Sequence, residues 1–130
     1  MMREPLPNRR AIWTQEVRLG GQKLFLSVGE YDDGRPGEVW LVAAKQGEFL
    51  RGILDSLSRV VSIALQCGTP VEDVVAALAG VNYPPNGDVV GERTPVKSAC
   101  SVPDWVAQEL AAVYLGAVGA AAVTSTTEYA

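Results

Sequence analysis

Histidine is absent from the 130 residues, which removes the commonest general base and the commonest zinc ligand. Cysteine occurs only at Cys67 and Cys100. One chain therefore cannot build a four-ligand Cys/His zinc site, and a disulfide between the two is not expected in a reducing compartment. No Lys/Arg run is longer than Arg9-Arg10, and 11 basic against 15 acidic residues give a net charge of -4. That disfavours binding to duplex DNA or bulk RNA, which rests on neutralising several phosphates at once. A small anion needs only two or three placed arginines and stays within reach. No apolar run attains the ~18 residues of a membrane span. The opening Met1-Met2-Arg3-Glu4-Pro5 is followed by no apolar segment of the signal-peptide kind. A cytoplasmic location without a membrane partner is the expectation.

What remains is ordinary globular material. Hydrophobic residues make up 48% and charged ones 20% of the chain, enough for one domain with a core that needs no staples. Residues 1–10, with Pro5, Pro7 and Arg9-Arg10, read as an extended arm. Residues 11–118 read as a single α+β domain, and the alanine- and threonine-rich 119–130 as a flexible tail. No internal repeat is found.

Alternation of polar and apolar residues predicts an antiparallel meander of three to four strands. Ile12–Leu19 sets Trp13, Gln15 and Val17 against Ile12, Thr14 and Glu16. Gly20-Gly21 suits a tight hairpin. Lys23–Tyr31 puts Leu24, Leu26 and Val28 on one face, and Asp32 to Gly37 is a turn by composition. Glu38–Ala44 puts Val39, Leu41 and Ala43 on one face, with Trp40 and Val42 on the other. About three helices follow, packed on the sheet. From Glu48 to Cys67 the apolar residues take helical spacing at Leu50, Ile53, Leu54, Leu57, Val61, Ala64 and Leu65. A polar stripe of Arg51, Asp55, Ser58, Arg59, Ser62 and Gln66 runs beside them, and Gly68 ends the helix. Thr69-Pro70-Val71-Glu72 has capping-box spacing for a short helix to about Ala79. Val81–Lys97 is a long irregular connection, with room for a short strand at Asp88–Val90. Ser101 and Asp104 cap a last helix from Val102 to about Leu115, with Val102, Val106, Leu110 and Val113 on one face.

Three stretches together resemble one family. They are Val28-Gly29-Glu30-Tyr31-Asp32-Asp33-Gly34-Arg35-Pro36-Gly37-Glu38-Val39, then Ser62-Ile63-Ala64-Leu65-Gln66-Cys67-Gly68-Thr69-Pro70-Val71-Glu72, then Ser98-Ala99-Cys100-Ser101-Val102-Pro103-Asp104. In order and spacing they resemble the C-terminal accessory region of adenosylcobalamin-dependent (class II) ribonucleotide reductases, a region that also occurs alone as the TSCPD domain. Leu6-Pro7-Asn8-Arg9 resembles the linker ahead of it. The eponymous motif is only partly kept: Cys100 and Pro103-Asp104 are present, separated by Ser101-Val102. The resemblance implies the fold. It implies no chemistry, because the reductase barrel with its radical and reducing cysteines has no counterpart here.

Candidate ligand-binding residues come from the chain itself. In the Asp32–Gly37 turn, Arg35 could present a planar fork to a phosphate; the competing reading is that the turn serves backbone geometry alone. Arg51, Asp55 and Arg59 stand at i, i+4 and i+8. They form either a solvated face of ion pairs or two guanidiniums aimed at phosphate by a central carboxylate. The small residues Gly52, Ser58 and Ser62 invite close approach by a ligand or a subunit. Tyr83 could stack on a base with Asn82 or Asn86 reading its edge, or could plug the core; Arg93 and Lys97 add positive charge nearby. The helix end at Ser101 could hold an anion, although Asp104 opposes one. Cys67 reads as a buried small hydrophobe, and Cys100 could ligate metal only with partners from other chains.

No histidine can activate a serine, and no nucleophile–base spacing stands out, so the chain is expected not to be an enzyme and to need no cofactor or metal. The expected function is to hold a small phosphate-bearing nucleotide, cyclic forms included, without converting it. A protein that sequesters a nucleotide signal, as in viral counter-defence, fits that description. The alternative is an accessory module docking onto a reductase or another protein. Trp13, Phe25, Trp40 and Val42 on the sheet faces point to a homo-oligomer.

Overall fold

The computed structural model describes residues 2–45 and 47–116; the tail expected at 119–130 lies outside them. In chain order the elements are β1 (Ile12–Leu19), β2 (Gln22–Glu30), β3 (Pro36–Ala43), α1 (Glu48–Gln66), α2 (Val71–Leu78), β4 (Gly87–Val90), β5 (Ser98–Ala99) and α3 (Val102–Tyr114). The strands hydrogen-bond in the order β3-β2-β1-β4-β5. The class is α+β, as the periodicities predict. The sheet has one strand more than expected, because β5 is two residues long and too short to alternate. The chain divides into two units: residues up to Glu16 with Lys23–Pro70, and Val17–Gln22 with the residues from Val71 onward.

In the first unit β2 and β3 pair antiparallel, setting Leu24 opposite Ala43, Leu26 opposite Leu41 and Val28 opposite Val39. All six are buried, and Leu54, Val61 and Leu65 of α1 are buried with them. A fully buried Leu or Val side chain contributes about 1.5–3 kcal/mol relative to exposure, so this layer carries the unit. Ile53, grouped with these residues by its spacing, is 45% exposed.

β3 is an edge strand, and α1 supplies what a neighbouring strand would. Ser58 Oγ accepts from the Leu41 N–H (3.0 Å) and donates to the Leu54 carbonyl (2.7 Å). Ser62 Oγ accepts from the Val39 N–H (2.9 Å) and donates to the Val39 carbonyl (3.3 Å). Gln66 Nε2 donates to the Gly37 carbonyl (2.8 Å). The small serines thus admit the chain's own β3 backbone, a close neighbour that helical periodicity alone does not identify.

The arm is tied down. Glu4 N–H donates to the Gln66 carbonyl (2.8 Å), Tyr31 donates to the Glu4 carbonyl (2.7 Å), and Arg3 Nε donates to Gln66 Oε1. Arg10 donates to the Pro7 carbonyl (2.8 Å) and to the buried Glu38 carboxylate. Gly37 is required here, since a β-carbon would meet Leu6 Cδ2 and the Tyr31 ring, each at 2.7 Å.

In the second unit Gly20 and Gly21 take positive φ at the hairpin turn, and Val17 and Leu19 are buried. α2 packs on α3. Residues Val102 through Ala111 of α3 are all buried, where one apolar face was expected; Val113 is 51% exposed. Such all-round burial needs its polar groups partnered. Ser101 Oγ accepts from the Asp104 N–H (3.1 Å) and donates to the Val81 carbonyl. Asp104 accepts from the N–H groups of Gly80 (2.8 Å) and Cys100 (2.9 Å) and from Gln108 Nε2 (3.0 Å). Glu109 accepts from Thr94 (2.6 Å) and Trp105 Nε1 (2.8 Å). The Ser101–Asp104 stretch is therefore a structural latch, and Asp104 fills the anion position that the helix end could have offered. The long connection is ordered by the bonds Tyr83 N–H to Cys100 O (3.1 Å) and Val89 N–H to Lys97 O (2.9 Å).

Candidate functional site

Beside β3 on the first unit runs a groove whose other wall is α1. Its first part is a cavity of about 660 Å³ whose lining includes Trp40, Val42, Glu48, Arg51, Gly52 and Asp55. Its second, of about 470 Å³, shares Trp40, Asp55 and Ser58 with the first and adds Arg3, Arg59 and Gln66. Strand alternation creates one wall. With Val39 and Leu41 turned into the core, Trp40 and Val42 must face away, and they are 41% and 48% exposed. Gly52 contributes no side chain to the opposite wall. Asp55 is paired with Arg59 (3.0 Å). Arg51 has no ion-pair partner among the described residues, so its guanidinium is available to an anion.

Arg35 lies elsewhere on the same unit, at a cavity of about 390 Å³ with Glu4, Tyr31 and Asp33. Its Nε donates to Asp33 (2.7 Å), its Nη2 to Glu4 (3.2 Å), and its guanidinium stands 4.6 Å over the Tyr31 ring. The bonds to Asp33 and then to Glu4 raise the arginine's pKa. Asp33 is lowered, chiefly by the Arg35 backbone N–H and then by its side chain. Tyr31 is raised by burial and then by the Glu4 charge. In this arrangement Arg35 closes the turn onto the arm, with its charge balanced.

Asn82, Tyr83, Asn86 and Arg93 are on the second unit, and none lines the three cavities. Tyr83 is 46% exposed and does not close the core. Asn86 Nδ2 lies 3.4 Å from Asn82 Oδ1, and Arg93 takes a positive φ of 62°. Of the eight candidates, then, the structure brings together Arg51, Asp55 and Arg59. Alternation along β3 predicts a sheet face for Trp40 and no ligand. Its alternation on β3 was visible, but its position beside α1 depends on strand order.

Both cysteines are free. Among the described residues there is no group of three or more His, Cys, Asp or Glu placed to hold a metal ion, and no helix is long and apolar enough to cross a membrane.

Comparison with known proteins places this arrangement. The family model described as TSCPD domain matches residues 2–114. The vitamin B12-dependent ribonucleotide reductase of Agrobacterium fabrum is 40% identical over 114 residues, covering 88% of this chain and 9% of that protein. The Bradyrhizobium diazoefficiens protein of the same name is 39% identical over 124 residues, covering 95% of this chain and 10% of that protein. That of Streptantibioticus cattleyicolor is 32% identical over 114 residues and is covered to 19%. The chain thus spans about a tenth of the length of the first two relatives. No solved structure matches. The matched stretch takes in the docked arm, the sheet, the groove and the Ser101–Asp104 latch, and on that match this chain belongs to the TSCPD domain family.

Proposed function

We propose that this TSCPD domain is a non-enzymatic module that holds a small nucleotide in the groove between β3 and α1. The observation that carries the reading is Arg51, a guanidinium without an acidic partner among the described residues, in one cavity with the exposed ring of Trp40. A base stacks on Trp40, phosphate takes Arg51, and Asp55 accepts from a sugar hydroxyl. The cavity volume of about 660 Å³ falls within the range of small-molecule sites. The relatives' name supplies a fitting ligand class, ribonucleotides. Among the described residues the hydroxyls lining the groove, Ser58 and Ser62, are taken up by backbone groups of β3 and α1, which supports a ligand held unchanged. In free solution such binding amounts to sequestration of a nucleotide, cyclic signalling forms included.

The test is a thermal-shift and calorimetry screen against linear and cyclic nucleotides, with mass spectrometry of the released ligand. A bound nucleotide at a hundredfold excess over Kd stabilises by about 2.7 kcal/mol. Arg51→Gln and Trp40→Ala should each abolish that gain while leaving the ligand-free melting temperature nearly unchanged. No gain with any nucleotide rejects the reading, and an altered nucleotide makes the chain an enzyme.

A second reading has its own support: identity of 32–40% to reductases of which this chain matches a small part, together with the exposed Ile12, Trp40 and Val42 of the open sheet face. On that reading the domain is an accessory module that docks onto a reductase. Co-sedimentation with a B12-dependent reductase lacking its own copy of this domain tests it.

A further inference from the structure

We propose that a second copy of this chain docks antiparallel on the outward face of α1, about a twofold axis passing between Ser56 and Leu57. The inference is independent of the nucleotide reading. Helix α1 turns Leu54, Ser58, Val61 and Leu65 inward. On its opposite side Phe49, Ile53, Val60 and Ile63 are 84%, 45%, 65% and 45% exposed. With exposed Ser56 between them, these positions advance by alternating steps of four and three, the seam spacing of paired helices. The stripe is ~21 Å long at the α-helical rise. A lone surface helix turns polar residues to water; a contiguous exposed apolar stripe marks an interface.

Two features select a second copy as the occupant. The stripe is self-complementary. Rotation about the stated axis sets Ile53 against Val60 of the second copy, and Phe49 at one end beside Ile63 at the other, so each of the two apolar contacts is made twice. The charges agree as well. Asp55 and Arg59 lie on one flank of the stripe, paired at 3.0 Å within the chain. A twofold axis brings equal flanks side by side in opposite directions, which leaves Asp55 of each copy within ~2 Å, along the helix axis, of the level of Arg59 of the other. Four charges then alternate in sign. A parallel twofold pairing would leave the two Asp55–Arg59 flanks on opposite sides of the helix pair, out of each other's reach, so only the antiparallel order makes this match.

Sedimentation equilibrium and cross-linking test this. The native chain should have twice its single-chain mass at micromolar concentration. Val60→Glu should return it to the single-chain mass with an unchanged circular dichroism spectrum. Arg59→Asp, on the solvated flank and harmless to the core, should weaken association roughly tenfold, and combining it with Asp55→Arg should restore the native value. In a Cys67→Ser, Cys100→Ser background, Ser56→Cys should oxidise to a covalent dimer, while the exposed control Glu72→Cys should not. A single-chain mass for the native protein, Val60→Glu dimerising like the native chain, or Ser56→Cys cross-linking no better than the control would each overturn the proposal.

Discussion

Gly29 and Glu38 face each other across the β2–β3 ladder, and the Glu38 carboxylate fills the space where a side chain on residue 29 would begin. That carboxylate is buried and bonded to Arg10 of the segment leading into β1. The absence of one β-carbon thus permits a buried ion pair. Gly29→Ala displaces Glu38 along most of its length and leaves Arg10 without its partner. We expect a loss of about 1–3 kcal/mol in urea unfolding, as for an overpacked interior; an unchanged midpoint would show that Glu38 yields without cost.

Ser58 is buried and its hydroxyl serves the Leu41 amide; Ser62 serves Val39. Ser58→Ala leaves a buried N–H unpaired and should cost about 1–3 kcal/mol. Amide exchange locates the effect: Leu41 should lose protection while Val42, bonded toward β2, keeps it. Uniform loss across β3 would mean that the helix, not the hydroxyl, had been disturbed.

Arg35 joins Asp33 and Glu4, so its role in the free protein is to hold the arm. Arg35→Ala should leave global unfolding nearly unchanged yet speed proteolytic cleavage within residues 2–10. Arg51→Ala, without an ion-pair partner to strand, should leave that cleavage rate at the native value.

Burial raises the pKa of Glu109 above the usual 4.5, against the opposing bonds from Thr94 and Trp105. A carboxyl whose folded value exceeds its unfolded value binds more protons folded than unfolded. Its contribution to stability therefore falls as pH rises from 4.5 through the raised value. Glu109→Gln keeps an acceptor oxygen for both donors and does not ionise. The variant should gain on the native protein in urea midpoint as pH rises through that window, with a constant difference above it. Parallel curves at every pH would refute the assignment.

The regular elements were legible because their periods are local. Leu24, Leu26 and Val28 announce β2, Gly68 the end of α1, and the Ser101–Asp104 spacing a capped α3. What stayed hidden depends on neighbours distant in sequence. Ser58 and Ser62 look like a polar stripe until β3 is known to be an edge. Arg35 looks free until Glu4, 31 residues away, is placed beside it. Arg51, Asp55 and Arg59 share a face by helical spacing alone, so their place together in the groove was readable. Asn82, Tyr83, Asn86 and Arg93 belong to the other unit, a division that no local period announces.

The hydroxyls along β3 have a consequence for life at high concentration. An unpaired strand edge is a template on which a neighbouring chain can add a strand, and repeated addition grows a fibre. At Val39 and Leu41 that template is withdrawn, because the outward amides already point at oxygen within their own chain. Replacing Ser58 and Ser62 together would leave those amides unpaired within Val39, Trp40, Leu41 and Val42, a short apolar segment rich in strand-forming residues, and restore an edge that the intact domain keeps capped.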